Sequence, residues 1–366
     1  MKQDFSILAT RTMGSYASRV VSYLKKYPSF SSMTEEIDRV NTLQTTHFAD
    51  GELEVVVGST IRGKNVYLFS SAAQNEAGVR LEEAKMELYH AVDALKRSQA
   101  ESITVFEPFV TCARSDRATR RNSVGLWVHF KILSSLGVNH IITYQLHSDK
   151  SKSMLDPTVC VIDDVPGLKL LKMRLCDYYI RDLETLEKVV RPTWAFCSVD
   201  AGGEKLARRF ANSFGAPLVI AHKQRDYSRA NTIESINILS AVPLQGKVLW
   251  IVDDMIDTAG SAESLIRALA PLRPAEVNLI AVHAVFSNPA QERLKRLSDE
   301  GLLNRILVTD TVQCPDCLKE GIPKLEVVPS AELSAQIIAT IVENGSLSSL
   351  LDTFNAEAYL REPRLL

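Results

Sequence analysis

Carboxylates, hydroxyls and glycine are concentrated in residues 249–269, LWIVDDMIDTAGSAESLIRAL, between an apolar run and a helical pattern. Asp253 and Asp254 follow four apolar residues, and adjacent carboxylates at a strand end can accept hydrogen bonds from a diol. The next group lies where a helix is predicted to begin and comprises Asp257, Thr258, Ala259, Gly260 and Ser261. Because backbone N–H groups at a helix start bind anions, the run is typical of a sugar-phosphate site. A capping residue alone would not explain two adjacent carboxylates.

The stretch ARSDRATRR follows a predicted strand and is rich in arginine. Its first charged residues are Arg114 and Asp116. Guanidinium groups suit bidentate binding of phosphates, so this stretch is a candidate phosphate site. A solvated charged loop would have the same composition, and that alternative stays open on composition alone.

A second cationic stretch, HKQRDYSRAN, follows the predicted strand 217–221 and contains Lys223, Arg225 and Arg229. Cations on a mobile lid can neutralise phosphate charge that develops only in the transition state. Lys-x-Arg pairs are common on protein surfaces. The evidence for a functional role is therefore the position of this pair, between the Asp200 turn and the Asp253 loop.

Asp200 ends a predicted strand, and His147 follows one. Asp200 precedes Gly202 and Gly203 in SVDAGGEKLARRF, where a simple strand-to-helix turn is the alternative. His147 follows the strand HIITYQL, and a lone histidine is more often structural than functional.

Cys314 and Cys317 form the motif CPDC, which has the spacing of half a zinc site. A tetrahedral zinc site needs four ligands, and no second pair lies near in the sequence, so a surface turn is the favoured interpretation. The other four cysteines are dispersed through apolar segments, which indicates reduced thiols rather than a secreted disulfide framework.

Strand and helix patterns alternate along the chain, which predicts an α/β fold with mostly parallel sheets. The predicted strands are 64–71, 102–109, 140–146, 193–200, 216–222, 247–254 and 276–286. The predicted helices between them are 76–98, 123–137, 203–214 and 261–270. Ligands of such sheets bind beyond the carboxyl ends of the strands, where the candidate residues lie.

Length and composition indicate a two-domain globular protein. The chain has 366 residues, more than a single core normally holds, and its net charge of -2 points to neither nucleic acid nor membrane. No apolar run approaches the roughly 18 to 20 residues that span a bilayer, and the first residues lack an apolar signal core. A cytoplasmic protein is therefore expected.

The two halves of the chain resemble each other. RGKNVYLFSS and AESITVFEPF in the first half correspond to QGKVLWIVDD and AEVNLIAVHAVF in the second. A duplicated domain would explain this, although any two β-α-β units share such turns and apolar strands. The boundary is expected near residues 148–190.

VDDMIDTAGSA resembles the phosphoribosyl pyrophosphate loop of phosphoribosyltransferases and of ribose-phosphate pyrophosphokinases. FADGELEVVVGSTIRGKNVYLFSS, VDALKRSQAESITVFEPFVTCARSDR and HIITYQLHSDKSKSMLD are similar to successive pyrophosphokinase segments, in the same order. The resemblance covers roughly residues 45–330 and implies two tandem phosphoribosyltransferase-like domains, each a mostly parallel sheet flanked by helices. It places an ATP-side domain at 1–163, joined by the tail 335–366, and a ribose 5-phosphate-side domain at 164–334.

The resemblance also implies roles for the candidate residues. Those implied to bind ATP are Phe48, Asp50, Glu52, Arg114, Asp116 and His147. The ribose 5-phosphate site would comprise Asp253, Asp254 and residues 257–261. Lys223, Arg225 and His147 would be catalytic, and His147 and Asp200 would contact Mg²⁺, the implied cofactor.

The implied reaction is transfer of the pyrophosphoryl group of ATP to the 1-hydroxyl of ribose 5-phosphate, which gives phosphoribosyl pyrophosphate and AMP for nucleotide biosynthesis. Family members form dimers or hexamers, so a homo-oligomer is implied. Ala49, Ser115 and Gln145 replace the Ser, Gln and Asp usual at these positions. Because Gln145 offers no carboxylate to orient His147, a catalytically weak regulatory subunit is an alternative. A phosphoribosyltransferase is a third.

Overall fold

A computed structural model of the chain describes residues 4–31, 40, 43–225, 233–316, 320–351 and 353–361. The side chains of residues 223–225, 233–235 and 349 lie outside that description. The described chain forms two compact units. One draws on Met1–Pro166, Thr311–Pro315 and Pro329–Asp352, and the other on Gly167–Asp310, Asp316–Val328 and Thr353–Leu366.

The first unit is built on a five-stranded parallel sheet of order β1-β4-β5-β6-β7, with a separate antiparallel hairpin of β2 and β3. Its strands are β1 (Phe5–Ala9), β2 (Leu43–His47), β3 (Leu53–Val57), β4 (Asn65–Phe69), β5 (Ser102–Phe106), β6 (His140–Tyr144) and β7 (Val161–Val165). Its first three α-helices are α1 (Gly14–Leu24), α2 (Leu81–Arg97) and α3 (Gly125–Leu136). Short 3-10 turns occupy Arg11–Met13 and Asp149–Met154.

The second unit contains a seven-stranded sheet of order β10-β9-β8-β11-β12-β13-β14, in which only the β9-β10 pair is antiparallel. Its strands are β8 (Trp194–Ser198), β9 (Leu218–Arg225), β10 (Ile233–Ser240), β11 (Val248–Ile256), β12 (Glu276–Ala284), β13 (Arg305–Thr309) and β14 (Leu325–Val328). Its α-helices include α4 (Leu168–Leu175), α5 (Glu204–Phe214), α6 (Gly260–Leu269) and α7 (Ala290–Asp299). Short helical turns follow at Cys176–Ile180, Leu183–Thr185, Leu186–Val190, Arg191–Thr193 and Ala270–Leu272.

The end of the chain contributes to both units. Helices α8 (Ala331–Val342) and α9 (Ser348–Leu351) belong to the first unit, and α10 (Ala356–Arg361) belongs to the second. In the first unit the buried Tyr16 hydroxyl lies 2.8 Å from the Oγ atoms of Ser330 and Ser334, and the Tyr144 hydroxyl lies 2.7 Å from Ser334 Oγ. In the second unit Ser213 Oγ donates to the Phe354 carbonyl.

The alternating α/β pattern is confirmed, and most predicted elements are present within a few residues. Helix α3 ends as predicted, because Gly137 adopts the left-handed backbone (φ +96°) that closes a helix. The predicted helix 76–98 was wrong at its start. Asn75 accepts from Val79 N–H and donates to the carbonyls of Ala73 and Val79, so this segment forms a side-chain-closed turn and the helix begins at Leu81.

Among the described residues, no helix has both the length and the apolar composition needed to cross a membrane.

Candidate functional site

Asp253 and Asp254 lie within strand β11, which extends two residues beyond the predicted end at Asp254. The strand continues to Ile256 because it stays paired with β12, where Asp253 is opposite Ala281. Its pairing with β8 ends one residue earlier, at Val252 opposite Ser198. Asp253 is therefore the first residue of β11 beyond the end of β8, at the edge where ligands of parallel sheets bind.

Three carboxylates influence one another at this edge of the second unit's sheet. The Asp254 N–H donates to Asp253 Oδ1 over 2.9 Å, and the Asp254 side chain is buried. Burial raises the pKa of Asp253 well above its ordinary value, and the negative charges of Asp254 and Asp200 raise it further. Such a concentration of carboxylates suits a ligand that brings hydroxyl donors or a cation.

Asp200 is held by the turn that follows β8. Its Oδ1 accepts a hydrogen bond from the Gly203 N–H at 3.0 Å, just before α5 begins. A β-carbon at Gly202 would lie 3.2 Å from the same oxygen, so a larger residue there would crowd the carboxylate. The predicted strand-to-helix turn thus also holds the Asp200 carboxylate near Asp253.

The loop between β11 and α6 has the geometry of an anion cradle. Ala259 is buried in the left-handed conformation (φ +59°, ψ 8°), which costs an ordinary residue about 1 kcal/mol or more, and α6 begins at Gly260. The first N–H groups of a helix have no partner within it, so they are available to an anion. Asp257 and Thr258 are half-buried, whereas Ser261 is exposed.

The Thr258 carbonyl accepts a hydrogen bond from Arg293 Nη1 at 2.9 Å. Arg293 lies on α7, and a β-carbon at Gly260 would lie 3.0 Å from the same nitrogen, which favours glycine there. Arg293 was not predicted from the sequence, because only the fold brings a residue 35 positions away against the loop.

Phe48, Asp50 and Glu52 lie in the connection between β2 and β3. An Asp-Gly turn joins these two strands: Gly51 adopts φ +94°, and Asp50 Oδ1 accepts from the Glu52 N–H at 3.1 Å. Phe48 is 49% exposed, and both acidic residues are exposed. An exposed aromatic ring beside acidic groups offers a stacking face and hydrogen-bond acceptors for a base.

Arg114 and Asp116 lie on the segment that connects β5 to α3, where Arg114 is exposed and Asp116 is half-buried. Between them, Ser115 Oγ accepts a hydrogen bond from the Gly125 N–H at 2.9 Å, and its carbonyl accepts from the Leu126 N–H. The serine that replaces the family's glutamine therefore caps the start of α3 from ten residues upstream.

The same segment is held at its beginning by a buried acid that the sequence analysis missed. Glu107 follows β5 and is fully buried, and its Oε1 accepts from both the N–H and the hydroxyl of Thr111. Its Oε2 lies 2.9 Å from Nε2 of His129, and the Nδ1 of that histidine lies 2.9 Å from the Tyr89 hydroxyl. This network ties the segment to α2 and α3.

His147 is exposed just after β6, and Gln145 precedes it in the left-handed backbone region (φ +45°). Strand β7 accepts hydrogen bonds from the backbone of the two residues that precede His147. The Gln145 N–H donates to the Val165 carbonyl, and the Leu146 N–H donates to Asp164 Oδ1, each at 2.9 Å. Asp164 on β7 thus places a carboxylate beside this segment, whereas Gln145 has an amide side chain.

Burial raises the pKa of the Asp164 carboxyl group above its ordinary value. Lys152 Nζ lies 3.4 Å from Asp164 Oδ2 and moderates that rise. Lys152 belongs to the segment SDKSKSMLD, which follows His147. The sequence analysis missed this pair, since its acid and base come from separate elements.

Lys223 and Arg225 lie within β9, so the prediction of a polar stretch after a strand ending at 221 was wrong for these residues. The strand is longer because β10 pairs with it, with Lys223 opposite Ile236 and Arg225 opposite Ile233. Arg229 lies outside the described residues. The roles of Lys223 and Arg225 stay predictions.

No cluster of three or more His, Cys, Asp or Glu side chains able to hold a metal ion occurs in the described part of the chain. Cys314 Sγ lies 3.9 Å from Gln74 Oε1, and Cys317 is outside the described residues. Mg²⁺ usually keeps several waters and binds to one or two carboxylates together with substrate phosphates. The neighbouring carboxylates of Asp200 and Asp253 fit that kind of ligand set.

Comparisons with known proteins agree with this architecture. Residues 6–137 match the N-terminal domain of ribose phosphate pyrophosphokinase, and residues 185–315 match the phosphoribosyl transferase domain. A ribose-phosphate pyrophosphokinase 1 of Listeria monocytogenes is 32% identical over 308 residues, which are 84% of this chain and 88% of that relative. A ribose-phosphate pyrophosphokinase of Mycoplasma genitalium is 30% identical over 307 residues, 84% of this chain and 85% of that one.

A solved structure is similar over nearly the whole chain. The phosphoribosylpyrophosphate synthetase from Mycobacterium smegmatis matches with a TM-score of 0.77 and 26% sequence identity. The match covers 94% of this chain and 100% of that one.

Proposed function

Because the chain belongs to the ribose-phosphate pyrophosphokinase family, we propose that it transfers the β,γ-pyrophosphoryl group of ATP to the 1-hydroxyl of ribose 5-phosphate. The products are phosphoribosyl pyrophosphate, for nucleotide biosynthesis, and AMP. The observation that carries the proposal is the loop from β11 to α6, where carboxylates on the strand precede a left-handed turn and a helix start.

The second unit would hold the acceptor. Asp253 and Asp254 accept hydrogen bonds from the ribose hydroxyls, and the N–H groups of residues 257–261 surround the 5-phosphate. This binding positions the 1-hydroxyl, whose oxygen attacks the β-phosphorus. The bond from that phosphorus to the oxygen shared with the α-phosphate breaks, AMP leaves with the electron pair, and the proton of the attacking hydroxyl passes to solvent.

The first unit, which includes residues 1–163 and part of the tail, would hold the donor. Phe48 stacks on adenine, and Asp50 and Glu52 accept from it, while Arg114 and Asp116 hold the phosphates and ribose of ATP. His147 completes this group near the phosphates.

Lys223 and Arg225 would stabilise the pyrophosphoryl group as its charge is redistributed during transfer. His147 and Asp200 would contact Mg²⁺, with Asp253 nearby. When bound, that ion supplies charge neutralisation on the transferred phosphates. The chain's residues then need only position the reactants and exclude competing acceptors, since phosphoryl transfer requires little covalent help.

Two departures from the family pattern lie in segments that hydrogen bonds hold in place. Ser115 caps α3, and Asp164 supplies a carboxylate beside the segment of Gln145 and His147. These contacts support an active enzyme over the alternative of a catalytically weak regulatory subunit.

The test is direct. Purified protein with ATP, MgCl₂ and ribose 5-phosphate is expected to release AMP and phosphoribosyl pyrophosphate in equal amounts, followed by phosphorus NMR. Reactions without ribose 5-phosphate are the control. AMP release without any added base would exclude a phosphoribosyltransferase. Protein that binds ribose 5-phosphate but releases no AMP above the control would instead identify the regulatory subunit.

Replacing Asp164 with alanine is expected to raise the KM for ATP about fivefold to thirtyfold, with little change in the KM for ribose 5-phosphate. The change leaves the buried Leu146 N–H without its acceptor, a loss of about 1 to 2 kcal/mol that frees the segment carrying His147. Asp164→Asn keeps an oxygen acceptor and should recover part of the effect. Initial rates at varied concentrations of each substrate provide the measurement.

Asp163→Asn is the matched control, because the Asp163 carboxylate pairs with Nε2 of His140 at 3.0 Å, at the other end of β6. Its two KM values should stay within about twofold of the unchanged protein. Equal increases of both KM values in Asp164→Ala would contradict a role specific to the nucleotide side.

We also propose that the protein works in the cytoplasm as a homo-oligomer, as a dimer or hexamer. Light scattering of the purified protein measures its mass in solution and therefore its oligomeric state. A monomeric mass at the concentrations that give full activity would contradict it.

A further inference from the structure

Arg293 links helix α7 to the loop that forms the proposed phosphate cradle. Its Nη1 donates to the Thr258 carbonyl at 2.9 Å, and its Nε lies 3.4 Å from Glu263 Oε2 on α6. One guanidinium therefore contacts the residue before the left-handed Ala259 and also the first turns of the helix that follows.

This arrangement matters because the loop has an unfavourable backbone geometry. A non-glycine residue at φ +59° is kept there by its surroundings, and the Thr258 carbonyl is the group immediately before it. A carbonyl that accepts from Arg293 is also not directed at a bound phosphate, whose charge would repel its oxygen. The cation itself favours an anion at the start of α6.

A second arginine on α7, Arg296, pairs with the same glutamate but, among the described residues, not with the loop, so it serves as a comparison for Arg293. Arg296 Nη2 contacts Glu263 Oε1 at 2.6 Å, so both arginines share that carboxylate. Within the described part of the chain, the Arg296 guanidinium bonds to Glu263 and not to the loop. Arg293 differs from it chiefly by its contact with the loop, through its bond to the Thr258 carbonyl.

We propose that Arg293 is a positioning residue for the ribose 5-phosphate site: it holds the loop at Thr258 and Ala259 in the form that binds the 5-phosphate. The proposal rests on the proposed function for the identity of the ligand. It adds a residue outside the loop, on a separate helix, that sets the affinity for the acceptor and leaves ATP binding unchanged.

The test compares Arg293→Met with Arg296→Met in the full-length protein. Titration calorimetry with ribose 5-phosphate should show about a tenfold or greater loss of affinity for Arg293→Met, as expected for one charge-assisted hydrogen bond. The KM for ribose 5-phosphate should rise with it, and the KM for ATP should stay within twofold. Arg296→Met should change neither value by more than twofold.

Arg293→Lys keeps the charge and one donor, so its affinity should lie between those of the unchanged protein and Arg293→Met. It also provides a measurement if the methionine variant does not fold. Ribose 5-phosphate affinity equal to that of the unchanged protein in both Arg293 variants would overturn the inference alone. An equal loss in Arg296→Met would overturn it as well, since it would point to Glu263. A failure of the unchanged protein to bind ribose 5-phosphate would overturn the proposed function itself.

Discussion

Replacing Lys223 with alanine is expected to lower kcat by about two to three orders of magnitude, while the dissociation constant for ribose 5-phosphate changes less than about threefold. The expected loss follows from removing one group that stabilises charge in the transition state. Ribose 5-phosphate binding should persist, because the groups proposed to hold it lie on β11 and at the start of α6. Steady-state rates and titration calorimetry give the two quantities separately.

The matched control for this prediction is Lys188→Ala. Lys188 is an exposed lysine of the same unit, paired with Glu184 at 2.9 Å on the surface, where such pairs contribute little. Its kcat and its affinity should both stay near those of the unchanged protein. If Lys223→Ala kept kcat within about threefold, the catalytic role of Lys223 would be wrong. If it lost kcat and ribose 5-phosphate affinity together, Lys223 would instead belong to the binding site.

The second large effect concerns stability. His129→Leu is expected to lower the free energy of unfolding of the first unit by about 3 to 5 kcal/mol, because it leaves two buried polar groups each without the hydrogen-bond partner that His129 supplied. The Glu107 carboxylate is fully buried, and removal of the imidazole would leave it with Thr111 as its remaining side-chain partner in the described network. The Tyr89 hydroxyl would also lose its bond to Nδ1.

Hydrogen exchange followed by mass spectrometry can localise this loss. Peptides from α2 and α3 should exchange faster in His129→Leu, while peptides from the second unit serve as the internal reference. The double variant with Glu107→Leu should be less destabilised than His129→Leu, because it removes the buried carboxyl group that the single variant leaves without its histidine partner. A double variant destabilised by the sum of both single effects would contradict this account.

The sequence predicted features whose causes are local. The apolar run before Asp253 predicted a strand, and Gly137 predicted the end of α3. The contacts that periodicity did not reveal join distant positions. The bond from Leu146 to Asp164 spans 18 residues, that from His129 to Glu107 spans 22, and that from Arg293 to Thr258 spans 35. A pattern read along one segment holds no information about which side chain of another segment will face it.

The same reason explains the errors in element bounds. The pattern of apolar and polar residues could not show that β9 continues through Lys223, because pairing with β10 extends the strand. The start of α2 was placed too early because the Asn75 side chain satisfies backbone groups that a helix would otherwise use. Charged and polar residues have several local options, and the rest of the fold selects among them.

The course of the chain through the two units has a consequence for biogenesis. Tyr16 near the amino terminus and Tyr144 both bond to Ser334 on α8, and Ser213 of the second unit bonds to the backbone at Phe354. A nascent chain on the ribosome therefore reaches residue 166 with its first unit still lacking α8, and neither unit is complete until α8 and α10 have emerged. Translation that stops early leaves two unfinished cores, which cellular quality control can recognise by their exposed apolar surfaces.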